Sequence, residues 1–168
     1  KINEPVRLFQ QAHLIGLLPE YSTSLAPKTT TTDKVYAVDQ GMAYATSRAN
    51  QQDIGKRLET AIYAELMRRT ANGRLETVTS FTAPTQAREK VDFLVGDALA
   101  SEPYALYQVT VDMTAEKTRR REVGSLEVAM VKTGIKDANI ITLREATQIK
   151  TEHGVIEVIP AWKWSLGL

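Results

Sequence analysis

The sequence predicts an α/β protein, a central mixed sheet flanked by helices, and three observations carry that expectation. Ile54, Leu58, Ala61, Ile62 and Leu66 make an apolar stripe at helical spacing within Asp53 to Arg69. Three segments then read as successive strands: Leu75 to Ala83, Lys90 to Gly96 and Tyr104 to Val111. A second helical segment, Ala115 to Thr133, precedes a short apolar strand, Asn139 to Leu143. Helix, three strands, helix and strand in that order imply helices layered against a sheet.

Taken from the N-terminus, Pro5 to Leu18 carries Val6, Phe9, Gln10, His13, Leu14 and Leu17 near helical spacing, punctuated by Gly16 and Pro19. Tyr21 to Lys34 is rich in Ser and Thr, including Thr29 to Thr32, and reads as a loop or the turn of a ribbon. Lys34 to Asp39 reads as a short strand, with a helical segment beginning near Gly41. Asp53 is placed to cap the first long helix, because its side chain can accept from an otherwise unpaired backbone N–H. Asn72-Gly73 suits that helix's C-terminus. Pro84 to Arg88 forms a turn between strands, and Thr114 is placed to cap the second helix, whose inner side takes Val123, Leu126, Val128, Ala129 and Met130. The tail offers a hairpin: Gln148 to Lys150, a turn at His153-Gly154, then Val155 to Ile159.

At 168 residues, with 43% apolar and 24% charged side chains, the chain suits one soluble globular domain. A net charge of +1 is no footprint for nucleic acid, so any basic surface must be local. The absence of cysteine excludes disulfides, thiolate chemistry and cysteine zinc sites. Only His13 and His153 offer imidazole, at opposite ends of the chain, and both read as packing or surface residues. No apolar run approaches the ~20 residues that span a bilayer, and no signal peptide opens the chain, so a cytoplasmic location is expected. No GxxxxGK[ST] motif occurs, which leaves no Walker A site for ATP in this stretch. The chain opens on Lys1 rather than Met, as a fragment of a longer protein would.

The most informative residues are Asp92 in Lys90-Val91-Asp92-Phe93 and the pair Gln108 and Thr110 in Tyr107-Gln108-Val109-Thr110. Alternation puts Gln108 and Thr110 on one face of their strand. A carboxylate on one strand with a polar pair at i and i+2 on the next is a divalent-metal nuclease pattern. Two ordinary strands with polar residues facing solvent give the same spacing.

The element order resembles the core of the restriction-endonuclease-like fold, the PD-(D/E)xK superfamily. Lys34-Val35-Tyr36-Ala37-Val38-Asp39-Gln40-Gly41, Ile54-Gly55-Lys56-Arg57-Leu58-Glu59, Val91-Asp92-Phe93, Gln108-Val109 and the closing Val158-Ile159-Pro160-Ala161-Trp162-Lys163-Trp164 together resemble the C-terminal domain of a group of prokaryotic AAA-type ATPases, a family of unknown function. The resemblance covers residues 34–168. Residues 1–33 then read as a linking helix and flexible loop, a winged-helix remnant, and the native protein would carry an upstream ATPase domain.

In a working member of this fold, a helix glutamate, a strand aspartate and an acid-x-Lys strand hold Mg²⁺ or Mn²⁺, and the metal activates the attacking water. The resemblance puts Glu59 at the helix acid, Asp92 at the metal-binding aspartate, Gln108 at the second acid and Thr110 at the lysine. A glutamine carbonyl can still ligate a metal, but threonine supplies no cation and is a poor base. Lys90, two residues before Asp92 and on the same face, is the candidate to supply the lost ammonium. The bland alternatives are a solvated Lys90 and a water-facing Glu59.

Lys117, Arg119, Arg120 and Arg121 open the second helix and suit phosphate contact, although Glu116 and Glu122 dilute their field. Trp162 and Trp164 share a face if the tail is a strand, for packing or for base stacking. Three functions follow as expectations: a degenerate nuclease-like cleft binding nucleic acid or a protein partner, an active Mg²⁺-dependent nuclease, and a structural or oligomerisation module.

Overall fold

A computed structural model describes residues 4–21, 33–46, 53–71, 77–85, 87–97 and 102–167. The chain runs α1 (Glu4–Gln11), β1 (Ile15–Leu18), β2 (Lys34–Ala37), α2 (Gln40–Thr46), α3 (Ile54–Ala71), β3 (Thr77–Thr82), β4 (Lys90–Asp97) and β5 (Glu102–Val109), then α4 (Glu116–Thr133), β6 (Asp137–Thr142), β7 (Thr147–Lys150), β8 (Val155–Pro160) and α5 (Ala161–Leu166). Six strands form one mixed sheet in the order β3-β4-β5-β6-β8-β7. β3, β4 and β5 are an antiparallel meander, β6 is parallel to β5, and β8 is parallel to β6. The parallel β5–β6 pair needs a crossover, and α4 provides it.

Helices cover both faces, which is why the central strands are apolar nearly throughout. On one face Leu126, Ala129 and Met130 of α4 pack with Leu94, Leu106, Ile140, Ile156 and Val158. On the other, Ile62, Tyr63 and Leu66 of α3 meet Val78, Phe93, Val95, Ile141 and Trp164. Asp53 caps α3 as expected, its Oδ1 accepting from the Lys56 N–H at 2.8 Å. Gly134, at φ 78°, ends α4 in the left-handed conformation and donates to the Met130 carbonyl. The tail hairpin forms as read, β7 antiparallel to β8 around Gly154.

The start of the chain differs from the single helix expected over Pro5 to Leu18. The helix stops at Gln11, His13 adopts φ 56°, and Ile15–Leu18 becomes a strand paired antiparallel with β2. Apolar residues at 14, 15, 17 and 18 fit either period, and tertiary packing decides: Leu18 is wholly buried in the α3-side core. Pro19 and Tyr21 then hydrogen-bond Ser80 of β3, at 2.8 and 2.7 Å. Residues 15–21 therefore dock on β2 and β3.

Three smaller expectations are corrected. The cap of α4 is Ala115, with no side-chain bond, because Thr114 turns to Asp112. Ile54 of the α3 stripe is 52% exposed, whereas Thr60 and Tyr63 are buried. The tryptophan tail is the helix α5, where Trp164 is buried and Trp162 is exposed. The Arg69 guanidinium lies 4.0 Å over the Trp164 ring and donates to the Trp164 carbonyl, so packing against α3 sets the helical tail. The Asn72-Gly73 stop and the threonine run lie outside the described residues. No helix among the described residues is long and apolar enough to cross a membrane.

Candidate functional site: a lysine-bridged carboxylate cleft

The ladder between β4 and β5 ends at Phe93 opposite Tyr107, and side chains continue it. The Asp92 N–H donates to Gln108 Oε1 at 3.2 Å, and the Val109 N–H donates to Asp92 Oδ2 at 3.0 Å. On the other side of β4 the register with β3 shifts, so that Asp92 and Phe93 together oppose Ser80. Such a bulge bends the strand and re-aims its side chains. Here one Asp92 oxygen stays on the β5 backbone while the other is left for a partner outside the sheet.

The other oxygen of Asp92, Oδ1, accepts from Lys34 Nζ at 2.8 Å. The same ammonium donates to Glu59 Oε1 at 3.0 Å, and the Tyr36 hydroxyl reaches that oxygen at 2.7 Å. Lys34 and Tyr36 are two apart on β2, so alternation aims both at one place. The Tyr36 ring stacks on Tyr63 at 4.2 Å, which fixes β2 against α3.

Beneath this cluster Gln108 is buried, and its Nε2 donates to Glu122 Oε2 at 2.7 Å. Glu122 is only 2% exposed, and Arg121 donates to its second oxygen from the cleft wall. The cleft above encloses about 460 Å³ and is bounded by Glu59, Glu89, Lys90, Asp92, Arg121 and Glu122 among others.

Burial pushes the Asp92 carboxyl upward, and Glu59 adds to the shift. Lys34 and the Val109 N–H oppose it, and the net direction is up. For Lys34 burial works against the charged form, but Asp92 and then Glu59 outweigh it and hold the ammonium above its ordinary value. Burial, followed by the charge of Glu59, also raises the Tyr36 hydroxyl, which stays a protonated donor.

Glu59, Asp92 and Gln108 thus meet at one end of the meander. Lys90 lines the cleft rim and is exposed, while the Thr110 hydroxyl donates to the Asp112 carbonyl. Arg121 reaches the cleft, Arg120 pairs with Glu116, and Lys117 and Arg119 are exposed. Sequence reasoning missed the bridging role of Lys34, and it missed Glu122. The spacing Glu122, Ser125, Leu126, Ala129 was its available signal, a carboxylate on the buried stripe of α4.

A Mg²⁺ or Mn²⁺ ion needs hard oxygens that are free to ligate. Both Asp92 oxygens, Glu59 Oε1 and the Gln108 carbonyl already accept hydrogen bonds, and an ammonium sits between the two acids. Among the described residues no group of three or more His, Cys, Asp and Glu side chains is placed to hold a metal ion. The residues present do not fit the ion.

Comparison with known proteins finds a relative in an archaeon. The chain is 30% identical over 164 residues to an uncharacterized protein of Methanocaldococcus jannaschii. The match covers 94% of this chain and 34% of that protein, so the chain spans about a third of the length of the relative it matches. No family model and no solved structure matches the chain.

Proposed function

We propose that the chain is a non-cleaving domain with a restriction-endonuclease-like core, the C-terminal accessory domain of a prokaryotic AAA-type ATPase, and that it works by protein contact. One observation carries this reading: the Lys34 ammonium bridges Glu59 and Asp92, the two acids a nuclease would give to its metal. The order α3, antiparallel β3-β4-β5, α4 and parallel β6 supports the core assignment. The residue at the catalytic-lysine position, Thr110, gives its hydroxyl to a backbone carbonyl instead.

Charge favours protein over nucleic acid as the partner. Glu59, Glu89, Asp92 and Glu122 line the cleft against Lys90 and Arg121, so a phosphate backbone would meet acids there. Arg120 and Arg121 are also committed to ion pairs. An apolar groove between α1, β1, β2 and α2, with Phe9, Leu14 and Met42 in its wall, supports a tethering role towards the ATPase domain of the same polypeptide.

The test is fluorescence anisotropy with labelled single- and double-stranded DNA, alongside cleavage assays in Mg²⁺ and Mn²⁺. No salt-sensitive affinity and no cleavage are expected. Affinity that weakens with salt and drops when Arg119, Arg120 and Arg121 become Ala would replace this reading with nucleic-acid binding. Cleavage abolished by Asp92→Asn would establish the nuclease instead.

A further inference from the structure

We propose that Lys34 is a resident counter-ion, which balances Glu59 and Asp92 in place of a divalent metal and makes the cleft reject Mg²⁺ and Mn²⁺. The role rests on reading the cleft as nuclease-derived, but it does not require the chain to belong to an ATPase.

The geometry is that of a built position rather than a chance surface pair. One nitrogen donates to two carboxylates, at 2.8 and 3.0 Å, on β4 and α3. Its partners lie 58 and 25 residues along the chain, so the contact exists only because β2 packs across both elements. Tyr36 binds the same Glu59 oxygen from two residues further along β2, and Phe93 lies under the ammonium at 6.0 Å. Lys34 is about one-third exposed, and Asp92 only 15%. A lysine free to swing into water would not be held by two acids, a tyrosine-braced strand and an aromatic floor.

Electrostatics explains the exclusion. A dication placed between these oxygens would lie against a fixed ammonium, whose repulsion cancels much of the attraction of the acids. It would also have to take Asp92 from the Val109 N–H, or Gln108 from the Asp92 N–H. Without the lysine charge, Glu59 and Asp92 could accept such an ion together with waters, as Mg²⁺ sites built on two carboxylates do.

Mn²⁺ is the probe, titrated into wild type, Lys34→Met, Asp92→Asn and the double variant, with the free ion followed by electron paramagnetic resonance. Methionine keeps the length and apolar character of the lysine stem while removing its charge. Wild type should take up no Mn²⁺ below the millimolar range. Lys34→Met should bind at least about a hundredfold tighter; deleting a unit charge about 4 Å from a dication at an effective dielectric of about 20 sets a ceiling of roughly a millionfold, and solvent screening of the one-third-exposed lysine reduces it. Adding Asp92→Asn should abolish that gain.

Wild-type uptake that Asp92→Asn removes would overturn the proposal, and so would a folded Lys34→Met that binds no better than wild type. If Lys34→Met fails to fold, wild-type thermal unfolding in Mg²⁺ decides. An unchanged midpoint supports the counter-ion, and a midpoint that climbs with metal concentration overturns it. Failure of the non-cleaving reading would look different: DNA cleavage by wild type.

Discussion

Restoring the acid that the resemblance expects on β5, by Gln108→Glu, should destabilise the protein rather than revive a site. The amide of Gln108 is a two-sided link: Oε1 accepts from the Asp92 N–H, and Nε2 donates to Glu122 Oε2 at 2.7 Å. A carboxylate keeps the first bond and turns the second into two oxygens at hydrogen-bond distance. With Glu122 only 2% exposed, both cannot ionise, and the pair keeps a shared proton. The unfolded chain releases that proton near pH 4.3, so above this value the folded state binds more protons than the unfolded one. Stability then falls as pH rises, by about 1.4 kcal/mol per pH unit until the shared proton leaves. The penalty relative to wild type should be about 1 kcal/mol at pH 5 and about 4 kcal/mol at pH 7. Urea unfolding of both proteins at pH 5, 6 and 7 measures it. A penalty that does not change across this range would refute the shared-proton account, and a negligible one would refute the placement of Gln108 against Glu122.

Two further substitutions probe the frame. Hydrogen bonds from Arg68, together with Arg69 and the charges of both, hold the Glu65 carboxyl at about 2 against the opposing effect of burial, compared with its ordinary 4.5. A depressed carboxylate stabilises above the unfolded value and loses that contribution as pH falls from about 4.5 towards 2, so Glu65→Gln should flatten this part of the acid unfolding curve. Gly154 has φ 150°, and a Cβ there would lie 2.0 Å from the Lys136 carbonyl oxygen. Gly154→Ala should therefore lower stability by about 2 kcal/mol or more, read as a drop in denaturant midpoint with unchanged slope.

The long elements were legible because each announces itself locally. Asp53 caps α3 through a bond three residues along, and Leu126, Ala129 and Met130 mark the inner face of α4 by helical spacing alone. The glycine turn of the tail hairpin is likewise a local signal. Asp92 and Gln108 could be paired across neighbouring strands because alternation fixes which way each side chain points. What was hidden is non-local. Nothing near Lys34 encodes a partner 58 residues away, so Lys90, close in sequence to Asp92, was the natural candidate for the missing ammonium. Ile15–Leu18 was hidden differently: its apolar run suits helix and strand equally, and only the pairing with β2 decides. The α5 helix depends on Arg69 and the face of Trp164, a contact between distant segments.

The β1–β2 ribbon also brings the cleft its counter-charge. The sheet from β3 to β8 and the two helices on it are built from residues 54–160, whereas the charge that balances their carboxylates arrives from β2. The acids on β4 and α3 therefore have this counter-charge only where the β1–β2 ribbon is docked. Completion of the fold and neutralisation of the cleft are one event, so every fully folded molecule emerges with its cleft already balanced, whatever the metal content of its surroundings.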